Sequence, residues 1–303
     1  MAVRVAVAGA TGNLGPHIVD ALVAANYPIT ILTRHGSTNA SRLPKSDNIT
    51  IKEVDFSSVD SLTSALQGVK VVVSVVASQS TGAQNPLIDA SIAAGVSRFL
   101  PSEFGSNTKN PKTVQLPVFK HKVETQQYLE AKAKENPEFS YTLVINGAFF
   151  DWGLKAGFLV NLTKHSATVF NGGDVKFSVT KLGTIAKAVV GVIEHLDETK
   201  NRAVYIQDAL VTQNQLIQYA KEIDGKEWDI TPNDTDKTYA EGIAALQKGP
   251  GPNLGAVLGS FIRSAIFDPT YGGNFSDHLD NNLLGLKGLS DEEVKELVGS
   301  SLS

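Results

Sequence analysis

The chain has 303 residues, 42% hydrophobic and 19% charged, a balance ordinary for a globular enzyme and long enough to bury a sizeable core. A net charge of −4 gives no basic footprint for nucleic acid or a membrane surface, and no apolar run approaches the ~20 residues that span a bilayer. With no cysteine, disulfides, thiolate metal sites and a cysteine nucleophile are excluded.

Residues 2–8, with Val3, Val5 and Val7, read as a buried strand that begins almost at once. No signal or transit peptide is therefore expected, and a cytoplasmic location follows as an expectation. The strand runs into Gly9-Ala10-Thr11-Gly12-Asn13-Leu14-Gly15, after which Ile18, Val19, Leu22 and Val23 recur at helical spacing. Strand, glycine turn and helix in that order can hold a dinucleotide pyrophosphate. The glycines let the backbone come close, and free amides at the helix start attract phosphate. A plain βα turn is the simpler alternative.

A second strand, 29–33, ends at Arg34, with Arg42 and Lys45 nearby and no acid before Asp47. An acid there would bind a ribose 2′-hydroxyl, whereas arginine suits a 2′-phosphate, so NADP(H) is expected over NAD(H). The plainer alternative for Arg34 is a solvated charge at a strand end. A third strand over 49–54 and a short helix over 59–66 follow. The β-branched run 69–76 reads as a central parallel strand, delivering Ala77-Ser78-Gln79 to its carboxyl end. A helix over 85–94 stops at Gly95, and a strand at 98–100 delivers Pro101-Ser102-Glu103-Phe104-Gly105.

The spacing then predicts one long helix over 116–136, with Phe119, Lys122, Val123 and Gln126 on a single face. Lys122 would point toward the sheet, which is costly without a partner or a task. A sixth strand, 141–145, ends at Asn146-Gly147-Ala148-Phe149-Phe150-Asp151-Trp152. Four segments, 9–15, 77–79, 101–105 and 146–152, thus meet at one sheet edge, the expected active site.

Further on, 172–174 reads as a turn between short strands, 184–196 as an amphipathic helix and 202–206 as a strand returning to the main sheet. Thr212 with Gln215, and Ser290 with Glu293, read as helix caps. Residues 248–253 read as a loop, and 261–274, holding Phe267 and Tyr271 and followed by Phe275, as a lid or wall of a substrate pocket. The expected architecture is α/β, a Rossmann-type doubly wound parallel sheet with a smaller, interwoven C-terminal substrate lobe. The cofactor-binding domain would span 1–150 and the lobe 151–303, with segments near 184–206 returning to the sheet. Six histidines without an i, i+4 pair point to no metal site, and neither a G-x-S-x-G elbow nor a P-loop is present. Oligomeric state is not legible.

These residues resemble the isoflavone reductase-like branch of the NmrA-like atypical short-chain dehydrogenases. The resemblance is carried by Gly9-Ala-Thr-Gly-Asn-Leu-Gly15, Arg34, Arg98-Phe-Leu-Pro-Ser-Glu-Phe-Gly105 and Phe119-x-x-Lys122. The usual Tyr-x-x-x-Lys pair is absent, Val118 standing four residues before Lys122, as in the atypical branch. The resemblance implies an NADPH-dependent reductase of a small aromatic, phenylpropanoid- or isoflavone-like metabolite. Lys122 would hold the nicotinamide ribose and serve as general acid or base; cofactor binding alone, or a structural role, are the other readings. Gly9 to Gly15, Arg34, Lys45, Ala77, Ser78, Gln79, Pro101, Ser102, Phe104 and Asn146 would surround the cofactor. Phe149, Phe150 and Trp152 would meet the substrate, with core packing an equal reading for Phe150. The chain departs from the plant enzymes at 123–127 and at 149–152. A regulator that binds NADP(H) without catalysis and acts through a protein partner is the alternative function.

Overall fold

The structure is a computed structural model that describes all residues except 1, 2, 40–43, 45, 78–82, 250 and 303. The first half alternates strand and helix: β1 (Val5–Ala8), α1 (Gly15–Ala24), β2 (Ile29–Arg34), β3 (Ile49–Val54), α2 (Val59–Ala65), β4 (Val71–Ser74), α3 (Asn85–Ala93), β5 (Arg98–Leu100), α4 (Lys120–Glu135) and β6 (Ser140–Ile145). After β7 (Ala148–Phe149), α5 (Phe150–Lys155), β8 (Ser166–Phe170), β9 (Phe177–Thr180) and α6 (Leu182–Glu194), the strand β10 (Arg202–Tyr205) lies parallel to β6. The main sheet therefore has the order β10-β6-β5-β4-β1-β2-β3, all parallel, and is Rossmann-type.

Period-two alternation sorts the strand side chains into two cores. Val5, Val7, Val71 and Val73 pack beneath α1 and α6 with Ile18, Leu22, Ile185 and Val189. Ala6, Ala8 and Val72 face α2, α3 and α4 with Leu62, Leu87, Ile88 and Leu129. Burial on both faces explains why these strands read as continuous apolar runs. Strand order reverses between β1 and β4, which opens a crevice at their carboxyl ends.

The remaining elements are β11 (Ala209–Val211), α7 (Gln213–Asp224), β12 (Asp229–Asn233), α8 (Thr235–Gln247), α9 (Leu254–Phe267) and α10 (Asp291–Ser300). Strands β11, β9 and β7 form a small sheet, β8 pairs in parallel with β12, and Phe150, Phe170, Phe177 and Phe267 share the lobe's own core. Thr212 caps α7, and Ser290 with Glu293 forms a reciprocal capping box on α10.

Two expectations need correction. The helix read over 116–136 is two 3₁₀ turns, Thr113–Gln115 and Pro117–Phe119, followed by α4. Pro117 is the reason: it excludes the helical region for the residue before it, and Leu116 is extended at φ −70°, ψ 130°. Segment 261–274 is no lid. Its first part is the end of α9, and Phe261, Phe267, Tyr271 and the following Phe275 are buried. Residues 229–247, for which the sequence suggested no element, hold β12 and α8.

Candidate active site

The three glycines of the 9–15 turn do different work. Gly9 has φ +90°, and a Cβ there would meet the Val75 carbonyl oxygen at 2.5 Å. At Gly15 a Cβ would meet the Ala10 carbonyl carbon at 2.4 Å, so this glycine lets the helix sit on its own turn. Gly12 is exposed, and the nearest atom to a Cβ there is 3.5 Å away, so nothing in the chain itself demands a glycine. Ala10 and Leu14 are buried beneath the turn, Thr11 is half-buried and Asn13 is exposed beside Gly12. No side chain caps α1, whose N-cap is Leu14, so its first amides and positive dipole end are offered to a ligand.

Arg34 is exposed at the carboxyl end of β2. The β2–β3 register, pairing Thr33 with Glu53, brings a carboxylate to the same turn, where Glu53 Oε2 accepts from the Gly36 amide at 3.3 Å and lies 3.5 Å from His35 Nδ1. Sequence reasoning missed this acid because it arrives from the neighbouring strand. Lys45, Ser78 and Gln79 lie outside the described residues; Ala77 is exposed just beyond β4.

The 101–105 segment is pinned from below. Ser102 Oγ donates to the Val76 carbonyl at 2.8 Å, and its amide donates to Gln84 Oε1 at 3.0 Å. Pro101 is buried, and Phe104, packed among the apolar residues under α1 and α6, holds φ +26°, a conformation that strains a non-glycine residue. The Glu103 carboxylate is buried and accepts from Thr108 Oγ1 at 2.7 Å and Gln126 Nε2 at 3.1 Å. This network was missed as well. Its signal is Gln126, one helical turn beyond Lys122 on the same face.

Lys122 Nζ donates to the Glu103 main-chain carbonyl and lies 5.8 Å from the Phe119 ring centroid. Burial pushes the ammonium below the usual lysine range, and the Glu103 carboxylate pulls it partly back. A Cβ on Gly105 would stand 3.6 Å from Nζ, and Gly105 O accepts from the amides of Asn146 and Gly147 at 3.2 and 3.0 Å. Lys122, the 103–105 backbone and Asn146 are thus gathered together. Asn146 is fully buried with Oδ1 unpartnered, and Ser74 Oγ at the end of β4 is likewise buried and unpartnered. Unsatisfied buried acceptors are rare in folded proteins and mark places where a ligand can complete the bonding.

The aromatic segment divides. Phe149 is half-buried and Trp152 is 38% exposed, but Phe150 is 0% exposed, enclosed by Leu154 and Phe177. Phe150 has no surface to give a substrate; it is core packing. His121, next to Lys122, lies on the surface 2.9 Å from Glu124. Among the described residues no three His, Asp or Glu side chains cluster as metal ligands, and no helix is long and apolar enough to cross a membrane.

Fold and sheet edge together define an α/β protein of the Rossmann type with a glycine turn at the switch point. The chain belongs to the NmrA-like family, which it matches over residues 1–231. It is 30% identical to the oxidoreductase aprR of Aspergillus flavus over 306 aligned residues, covering 100% of this chain and 99% of the relative. It is also 30% identical to the isoflavone reductase homolog IRL of Zea mays, covering 74% and 75% of the two chains. Among solved structures, the leucoanthocyanidin reductase–NADPH complex of Vitis vinifera superposes with a TM-score of 0.78 at 20% identity, covering 99% of each chain.

Proposed function

We propose that this chain is an NADPH-dependent oxidoreductase that reduces a small aromatic metabolite in the cytoplasm, with Lys122 as its general acid. The observation that carries the reading is the pairing, on one sheet edge, of an uncapped helix start above an open Gly12 with a buried ammonium at Lys122. The names of the relatives, oxidoreductase and reductase homolog, support it, and so does the NADPH complex of the structural neighbour.

The residues fit the cofactor: Gly12 leaves room where a Cβ would intrude on a ligand, and Ser74 and Asn146 offer buried polar atoms without partners. The Gly12 amide closes the turn onto the Gly9 carbonyl at 3.1 Å, so the amides of 13–15 would hold the pyrophosphate, Arg34 the 2′-phosphate, and Lys122 with Asn146 the nicotinamide end. NADPH, when bound, supplies the hydride. Lys122 protonates the oxygen or carbon on which negative charge develops, directly or through water, and its lowered pKa makes that transfer easier near neutral pH. The strained Phe104 turn holds the Glu103 carbonyl against Nζ, so the ammonium is positioned before substrate arrives. Phe149 and Trp152 offer apolar surface for an aromatic ring.

The reading is tested with NADPH deuterated at nicotinamide C4 and a panel of aromatic enones, quinones and benzylic ethers. Deuterium transferred to a product carbon is the expected result. NADPH that binds but is consumed with no member of the panel would favour the regulator.

A further inference from the structure

The C-terminal lobe holds a second feature, beside the aromatic segment and separate from the glycine turn. A cavity of about 300 Å³ lies between the 157–161 segment after α5, the paired strands β8 and β12, and Arg263 of α9. Its walls include Phe158, Asn161, Thr168, Thr231 and Asp229. Arg263 shares its side of α9 with Ile266 and Phe267, three and four residues on, which are packed in the lobe core. The stem is thereby anchored while the guanidinium lies 4.6 Å from the Phe158 ring centroid.

Among the described residues this guanidinium has no ion pair and no hydrogen bond, and it rests against the Phe158 ring. Burial pushes its pKa below the usual arginine value, and no carboxylate pulls it back. The other strongly desolvated arginine, Arg98, is instead bonded to Ser140, Thr142, Thr199 and the Leu196 carbonyl. A half-buried guanidinium with five free donors, stacked on an aromatic face beside a cavity, is arranged to receive a planar anion.

We propose that this cavity binds a small aromatic carboxylate, its carboxylate paired with Arg263 and its ring against Phe158. A monoanion is favoured over a phosphate because, among the described residues, the other charged side chain in the lining is an acid, Asp229. The volume suits a single-ring ligand. The Trp152 ring centroid lies 6.2 Å from that of Phe158, so the cavity adjoins the aromatic segment assigned above to substrate. The inference does not require turnover.

The test uses the full chain without dinucleotide, so its failure leaves the reductase reading untouched. Calorimetric titration with 4-hydroxybenzoate and the neutral 4-hydroxybenzamide should show the acid binding at least about tenfold tighter, the worth of one charge-assisted pair. R263Q, checked for unchanged thermal unfolding, should abolish that preference, and F158L should weaken both ligands. In the unaltered chain, the acid should slow phenylglyoxal modification of Arg263 as mapped by mass spectrometry. Equal binding of acid and amide, a preference surviving in R263Q, or no binding of the acid with unprotected Arg263 would each overturn the proposal.

Discussion

The three-residue strand β5 has two ends that behave in opposite ways. At its amino end Arg98, 2% exposed, donates to Ser140 Oγ at 2.8 Å, to Thr142 and Thr199 Oγ1 at 2.9 Å each, and to the Leu196 carbonyl. Burial lowers its pKa to about 10, Asp197 pulls the other way, and every bond ties β5 to β6 and to the segment before β10. At its carboxyl end, a few residues on, Phe104 is strained, the Lys122 ammonium rests on one carbonyl, and Asn146 Oδ1 has no partner. Satisfied polar groups make a strut, whereas strain and unspent hydrogen-bonding capacity make a site. Both ends belong to Arg98-Phe-Leu-Pro-Ser-Glu-Phe-Gly105, so a single sequence motif holds a structural half and a functional half.

The largest effect should come from the functional end. K122M should lower turnover by about 10²–10⁴-fold on any substrate the panel yields. Its unfolding free energy, measured in urea, should stay within about 1 kcal/mol of the parent, since a lost hydrogen bond is offset by removal of a buried charge. The pH dependence follows in sign. Lys122 titrates below the usual lysine range, so reduction needing its proton falls as pH rises through that lowered value. The stability cost of burying the charge is present below the folded-state pKa and is relieved above it.

R98M should do the reverse, losing about 3 kcal/mol or more of stability because a buried network joining β5 to β6 and to the segment before β10 is broken, although Ser140, Thr142 and Thr199 keep the carbonyls they donate to. Protein that remains folded should keep its NADPH affinity. If R98M instead left stability intact and abolished cofactor binding, the division of β5 would be wrong.

The glycines sharpen the same contrast on β1. G15A should cost about 1–3 kcal/mol by driving a Cβ into backbone. G12A should leave the free protein within about 0.5 kcal/mol of the parent yet weaken NADPH about tenfold, as titration of nucleotide fluorescence would report. The smallest effect should be that of R34A. Its charge is exposed, so the preference for NADPH over NADH should narrow by about tenfold or less, with Glu53 left at the turn.

Much of the Rossmann half was legible because its signals are local. Continuous β-branched runs mark strands buried on both faces, and a glycine turn followed by a helical period marks the switch-point crevice. What failed to show depended on partners distant in sequence or on a single steric rule. Pro117 broke a helix that hydrophobic spacing alone would have continued through Leu116. Strand β12 has no period to read: Asp229 to Pro232 are exposed, Ile230 among them, and it exists because Ser166–Phe170 supplies its pairing. Phe150 and Trp152 are similar in character on paper, and only the fold places one in the core and the other at the surface. The inward-facing Lys122 could be read from spacing, and Gln126 shares its face, but the Thr108–Glu103–Gln126 network beneath it forms only when the fold brings α4 onto the connection after β5.

The most direct test of the central claim is urea unfolding of the unaltered chain with NADPH, NADP⁺, NADH or NAD⁺, each at about 1 mM, a hundredfold excess over a dissociation constant of about 10 μM. NADPH and NADP⁺ should each add about 2.7 kcal/mol, with a much smaller gain from the forms lacking the 2′-phosphate. No gain from any of the four would contradict the assignment of the 9–15 turn and Arg34, and with it the reductase.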